Sequence, residues 1–362
     1  MEDEFEFDFD FNYTECEGCE DIVVDPKDLV PTLGVQHWVA LICYSIVFLL
    51  GVPGNGLVVW VTAFRMPNSV NAQWFLNLAI ADLLCCLSLP MLMVPLAQDQ
   101  HWPFGPLACK VLHGLFYMMM YCSVLLLVVI SLDRLLLVTK PVWCQNHRNT
   151  KVARCTCLAV WLLALLGSSP QFAHRQEEKR SMTKKILCGN AFHSHGQALA
   201  VTLSRFLLSF VLPFLIICVS HWKVYQTSKF GRGHRGNNKS ARTLRVILVL
   251  VSTFFLCWIP LHIVDILEII LHDKLALHAS LHLAQVLTLC LAYINSCLNP
   301  LLYVCLGRGF KENLISSLRS VLHFASEAPI SRNTMTASSK TTTDGNICRE
   351  KSQMNIYTST RI

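Results

Sequence analysis

Charge is scarce in this 362-residue chain. Lys, Arg, Asp and Glu make up 15% of it, against about 25% in ordinary globular domains, while 53% is hydrophobic and the mean hydropathy is +0.44. So little charge excludes a soluble globular domain and points to a membrane protein. Lys and Arg are missing altogether from residues 1–21, which carry Glu2, Asp3, Glu4, Glu6, Asp8, Asp10, Glu15, Glu17, Glu20 and Asp21. An acidic start is no cleavable signal peptide, so the first spanning helix is expected to act as its own insertion signal. No nucleophile–base pair, metal-ligand spacing or phosphate-cradling loop stands out, so no enzyme chemistry, cofactor, metal or nucleic-acid partner is expected. No internal repeat is evident, which weakens a transporter reading. A channel or transporter path would also need paired charges, and apart from Asp82 and Arg205 the spans are read as holding almost none. The seventeen cysteines form no disulfide scaffold, because most sit in apolar runs (Cys85, Cys86, Cys122, Cys157, Cys218, Cys257, Cys290) where Cys acts as a small hydrophobe.

What is present is a set of seven apolar segments, at about 38–64, 72–98, 106–136, 152–173, 197–225, 242–271 and 280–305. The third is the most telling. From Cys109 to Arg134 a helix is roughly 38 Å long, enough to cross a bilayer, with a cysteine at one interface and an acid–base pair at the other. The expected fold is an all-α membrane protein, a seven-transmembrane helix bundle with an amphipathic helix after the seventh span. Four regions follow: an acidic extracellular arm (1–37), the bundle (38–305), a membrane-surface helix (306–322) with Phe310, Leu314, Leu318 and Leu322 on one face, and a disordered Ser/Thr-rich tail (323–362). Short loops carrying Arg65, Lys140, Arg148, Lys151, Arg154, Lys223, Lys229 and Arg308 belong on the cytoplasmic side, which puts the N-terminus outside and the C-terminus inside the plasma membrane. The loop 174–192 breaks that rule with Arg175, Lys179, Arg180, Lys184 and Lys185, and the acidic arm and an acidic or mixed-charge ligand are expected to compete for it.

Several residues stand out against this background. Asp82 lies well inside the second span, where a carboxylate needs partners or a cavity. Asn55, Ser123, Asn295, Ser296 and Asn299 are the candidates, and a structural knot and a cation- or proton-sensitive switch are compatible readings. Cys109 and Cys188 both face an oxidising compartment, so a disulfide stapling the outer loop over the bundle mouth is expected. The pairing of Cys16 and Cys19 stays open. Trp258-Ile259-Pro260 interrupts the sixth span, and Pro90, Pro170, Pro213 and Pro300 interrupt four others, which fits a bundle built to rearrange. Arg134 beside Asp133 is either a snorkelling interfacial arginine or a switch. Residues 223–247 contain no acid, so a resting lock is limited to Asp133 and neutral groups. Asn12-Tyr13-Thr14 is a glycosylation sequon, and Tyr13 among acids is a sulfation candidate. Phe5, Phe7, Phe9 and Phe11 alternate with the acids, giving either a solvated tail or an anionic, aromatic bait for a basic partner.

Gly54-Asn55, Leu78-Ala79-Ile80-Ala81-Asp82, Cys109, Asp133-Arg134, Trp161, Pro213, Cys257-Trp258-Ile259-Pro260 and Asn299-Pro300-Leu301-Leu302-Tyr303 occur in the order and spacing of one family. From about 38 to 322 the chain resembles the rhodopsin-like G-protein-coupled receptors. Trp74-Phe75-Leu76-Asn77-Leu78, His101-Trp102-Pro103-Phe104-Gly105 and the loop Lys140–Arg148 are similar to the chemoattractant group. Complement anaphylatoxin receptors are nearest, with formyl-peptide and chemerin receptors next, and Cys144 and Leu135–Val138 favour the branch that answers component 5a. The resemblance implies a peptide or small-protein agonist held by the acidic arm, Asp10 and Tyr13 included, and by Arg175, Arg205, Tyr121 and Gln285 at the mouth, with Arg205 about one turn inside the fifth span. It implies an inhibitory heterotrimeric G protein on the inner side. A receptor kinase is expected to act on Ser331, Thr334, Thr336, Ser338 and Ser339, followed by arrestin. An arrestin-biased scavenging receptor is the second reading. Four departures bear on this. Gln285 replaces an aspartate expected to meet a ligand's C-terminal arginine, and His221 replaces a tyrosine of the active state. Leu135 follows Asp133-Arg134 where tyrosine is usual, and Met119 replaces an asparagine tied to sodium at Asp82.

Overall fold

The computed structural model describes residues 34–66, 69–98, 100–180, 185–230, 238–271 and 278–306, all within a compact unit that ends at Leu318. The acidic arm, the membrane-surface helix and the tail lie outside the described residues, and with them Asp10, Asn12, Tyr13, Ser331, Thr334, Thr336, Ser338 and Ser339.

Seven long helical rods follow one another. The first is α1 (Val35–Trp60), continued by a π turn (Val61–Arg65); then come α2 (Val70–Ala97) and α3 (Gly105–Thr139). A short α4 (Pro141–His147) precedes α5 (Thr150–His174). The fifth rod is α6 (His195–Phe206), a π turn (Leu207–Val211) and α7 (Leu212–Phe230); α8 (Asn238–Ile270) and α9 (His278–Leu306) complete the set. Among the described residues six of these are long and apolar enough to cross a membrane by length and composition, and α9 packs between α1 and α8 as the seventh. The rods begin and end within a few residues of the expected spans. Capping explains several starts: Ser69, Asn149 and Ser194 each accept a backbone N–H from the first turn of α2, α5 and α6.

Burial ranks the rods. Of the most apolar 18 residues of α3, 72% are buried inside the protein, against 28% for α1 and α5, so α3 is the central rod. The outer rods instead turn large side chains outward, such as Leu158, Leu162 and Leu166 on α5 and Leu207, Leu212 and Leu215 on the fifth rod, an apolar surface that suits lipid. Gly114 lets α3 and α5 meet, since a Cβ there would fall 2.3 Å from the Phe172 ring. Gly105 has φ +80°, a left-handed turn that glycine makes without steric cost, and from it α3 starts. The π turn at Leu207–Val211 stands just before Pro213, whose missing N–H disturbs a regular helical ladder.

Two elements add to the all-helical expectation. The basic loop 174–192 forms an antiparallel hairpin, β1 (Arg175–Arg180) on β2 (Lys185–Asn190), with Arg175 opposite Asn190 and Glu177 opposite Cys188. It packs on α3. The loop after α3 contains α4; Pro141 at its first position costs no hydrogen bond there.

Candidate functional site

At the hairpin end of the bundle a disulfide joins Cys109 of α3 to Cys188 of β2, with Cα atoms 5.7 Å apart. Around it Trp102 packs with Leu112 and Ile186, donates its indole N–H to the Gly105 carbonyl at 3.0 Å, and gives its backbone N–H to the Ile186 carbonyl at 2.8 Å. The hairpin is thereby tied to the top of the central rod.

Beneath it sits a buried charge network. Arg205 on α6 pairs with Asp265 on α8 at 2.6 Å, both largely shielded from solvent. Gln285 on α9 donates to the other Asp265 oxygen at 3.0 Å. The Arg205 guanidinium stacks 4.6 Å over the Tyr117 ring of α3. Four rods thus meet around one ion pair. Arg205 lies ten residues into α6, about three turns rather than the single turn expected. Arg175, on β1, donates to the Cys188 carbonyl at 3.4 Å, while its buried Nε has no partner among the described residues. Burial lowers its pKa and the nearby Arg205 charge acts the same way, while Tyr117, Asp265 and Glu268 oppose them. An arginine keeps its proton under such pressure, so two cations face a small set of acids. Tyr121, one turn below Tyr117, packs its ring against Gly167 of α5. Asp265 was missed: the spans were read as nearly free of charge beyond Asp82 and Arg205, yet Asp265 is 7% exposed. Its signal was visible, an acid inside the apolar run Ile263-Val264-Asp265-Ile266-Leu267.

An aromatic chain leads inward. Tyr117 touches Phe116 at 5.1 Å between ring centres, and Phe116 contacts Trp258 at 5.4 Å and Tyr293 at 4.9 Å. Trp258 leans on Phe254, and Pro260 follows within α8. Beyond Tyr293 the polar core begins. Asn299 donates to Asp82 at 2.7 Å, and Ser296 is also within hydrogen-bonding reach of it. Asn55 ties α1 to α9 through the Ser296 carbonyl at 2.9 Å. Asn299, Pro300 and Tyr303 all fall within α9.

At the α4 end of the bundle Asp133 holds two arginines. Arg134 donates to Asp133 at 2.9 Å and to Asn71 of α2. Arg148, just after α4, reaches Asp133 at 2.7 and 3.1 Å and Asn71 at 2.5 Å. The lock of Arg134 is therefore an acid and a neutral amide, and Arg148 shares both. His221 of α7 lies 3.4 Å from Ser131 of α3, and its other, buried ring nitrogen has no partner among the described residues.

A bundle of seven rods with this polar core, a disulfide at one end of the third and an Asp–Arg pair at the other, also matches a family model: 7 transmembrane receptor (rhodopsin family), over residues 54–303. The chain belongs to the rhodopsin family of seven-transmembrane receptors. Rhodopsin-family members are signalling receptors rather than enzymes, and this one is a multi-pass membrane receptor. It is similar to the C5a anaphylatoxin chemotactic receptor 1 of Danio rerio, 66% identical over 94% of this chain and 97% of that relative. The protein of the same name from Oncorhynchus mykiss is 56% identical over 89% and 91%, and that from Homo sapiens 41% identical over 80% and 82%.

Proposed function

We propose that this receptor answers the C5a anaphylatoxin, binding the ligand's C-terminal tail at the network of Arg175, Arg205, Asp265, Gln285 and Tyr117. The acidic arm, 1–37, holds the ligand's basic body, and a plasma-membrane orientation with the arm outside and the tail inside completes the arrangement. What carries the reading is the Arg205–Asp265 pair beneath a hairpin that brings Arg175, in a chain similar to C5a receptors along nearly its whole length. An incoming carboxylate takes Arg205 from Asp265 and so exchanges one charged contact for another without stranding a buried cation. Asp265 stands on α8, about two turns past Trp258 and five residues past Pro260, so its release bears directly on the rod that carries them. The aromatic chain from Tyr117 to Trp258 offers a second mechanical link to the same rod.

On the inner side we assign Asp133 and Arg134 to the switch that an inhibitory heterotrimeric G protein reads, and the tail residues Ser331, Thr334, Thr336, Ser338 and Ser339 to kinase and arrestin. Ligand binding shifts a two-state bundle by its differential affinity for the two states. The contact of His221 with Ser131 supports a second reading, an arrestin-recruiting scavenger, because that position lacks the phenol of a tyrosine. The test is a cAMP and arrestin assay in transfected cells given C5a, a C3a, a formyl peptide and chemerin, with wild type beside Arg134→Ala. C5a-selective suppression of cAMP that Arg134→Ala abolishes is expected. Arrestin recruitment with no cAMP change in either protein would replace signalling by scavenging.

A further inference from the structure

A cavity of about 230 Å3 opens under α4, at the Asp133 end of the bundle, and the ligand site described above does not use it. Its walls are apolar: Trp74 of α2, Leu132 and Leu136 of α3, Trp143 of α4, Val152 and Ala153 of α5. Trp74 is only 5% exposed and packs its side chain at the back of the slot. Leu132, Leu136 and Val152 are exposed on the outside of the rods, so the cavity's apolar walls continue onto the surface that suits lipid.

The rim has the opposite character. His147 and Arg148 border the cavity, and Lys140, Lys151 and Arg154 are exposed beside it. From residue 133 to residue 176 Asp133 is the one acid, and it is already shared by two guanidinium groups. An apolar slot with an excess of positive charge at its lip fits an amphiphile with an anionic head.

We propose that this cavity binds an anionic phospholipid of the cytoplasmic leaflet. The proposal rests on the orientation given above, which puts α4 on the cytoplasmic side. The slot is smaller than a drug-sized pocket of roughly 300–1,000 Å3, so it takes part of one acyl chain, with the head group on the basic rim. A sterol has no use for that rim, and free phosphate has none for the apolar walls. Basic residues next to a membrane are drawn to anionic lipid, and a filled slot packs α4 against α3 and α5, keeping Arg148 on Asp133.

The test uses the full-length receptor in phosphatidylcholine nanodiscs with a phosphatidylserine carrying a photoreactive acyl chain, and maps the labelled peptides by mass spectrometry. Labelling is expected on the segments holding Trp74 and Ala153. Unlabelled phosphatidylserine should compete roughly tenfold better than phosphatidylcholine or cholesterol. Ala153→Leu, which fills the slot, should remove the label while agonist binding persists, and Lys151→Gln with Arg154→Gln should weaken it. If Ala153→Leu does not reach the membrane, Thr156→Leu at the more open edge serves instead. Label spread over the bundle, label that survives filling, or equal competition by a neutral lipid or sterol would overturn the site. Nanodiscs present both faces, so these results are independent of sidedness, which terminal tags test separately.

Discussion

Arg205 and Asp265 show how one contact changes what a substitution means. Removing Arg205 alone strands a buried carboxylate, which costs about 3–5 kcal/mol when a buried pair loses one member, so surface expression should fall along with potency. The double variant Arg205→Gln/Asp265→Asn is expected to restore expression, measured by surface staining, while agonist potency stays down roughly tenfold or more, the loss of a charge-assisted hydrogen bond. Full potency in the double variant would take Arg205 out of the ligand site. Asp265→Asn by itself frees Arg205 of its competitor and should raise the affinity of a short peptide copied from the ligand's tail. A fall instead would make Asp265 a ligand contact. Gln285 belongs to the same unit, since it donates to Asp265.

Two elements deserve their own tests because the site depends on how they are held. The hairpin β1–β2 is tethered to α3 by Cys109–Cys188, which closes a loop of 79 residues. Losing such a link costs about 2–5 kcal/mol, so Cys188→Ser is expected to lower both surface expression and agonist potency by freeing Arg175 from its place over the bundle. Radioligand binding on the expressed fraction separates the two effects. In the proposed reading the acidic arm acts at a distance, by charge. Deleting residues 2–21 should weaken a whole protein ligand more than its tail peptide, with a loss that shrinks as salt rises. Equal losses for both ligands would mean that the arm does not hold the ligand's body.

Among the described residues the bundle is built on a central α3, with a charge network at one end, a polar core around Asp82 and a shared lock at the other. A rod system of this kind transmits by moving between discrete packings, since close-packed interiors do not deform smoothly. Epitope tags at the two termini should be reached from opposite sides of intact cells. Both tags on one side would require an even number of crossings and would undo the assignment of outside and inside.

Amino-acid order alone determined the seven rods, their limits to within a few residues, and the family, because hydropathy and motif spacing are local properties of the chain. It also marked Cys109, Asp133, Arg134, Trp258 and Asn299 as candidates. Only the tertiary structure decided which groups meet. Arg205 and Asp265 are 60 residues apart, and Arg148 and Asn71 are 77 apart. Whether such residues touch depends on how each helix is rotated about its axis and how far it slides past its neighbours. Side-chain packing over many residues sets those two quantities, and no short stretch of sequence carries them. The same holds for the hairpin over the mouth and for the cavity under α4, which exist only as spaces and contacts between distant segments.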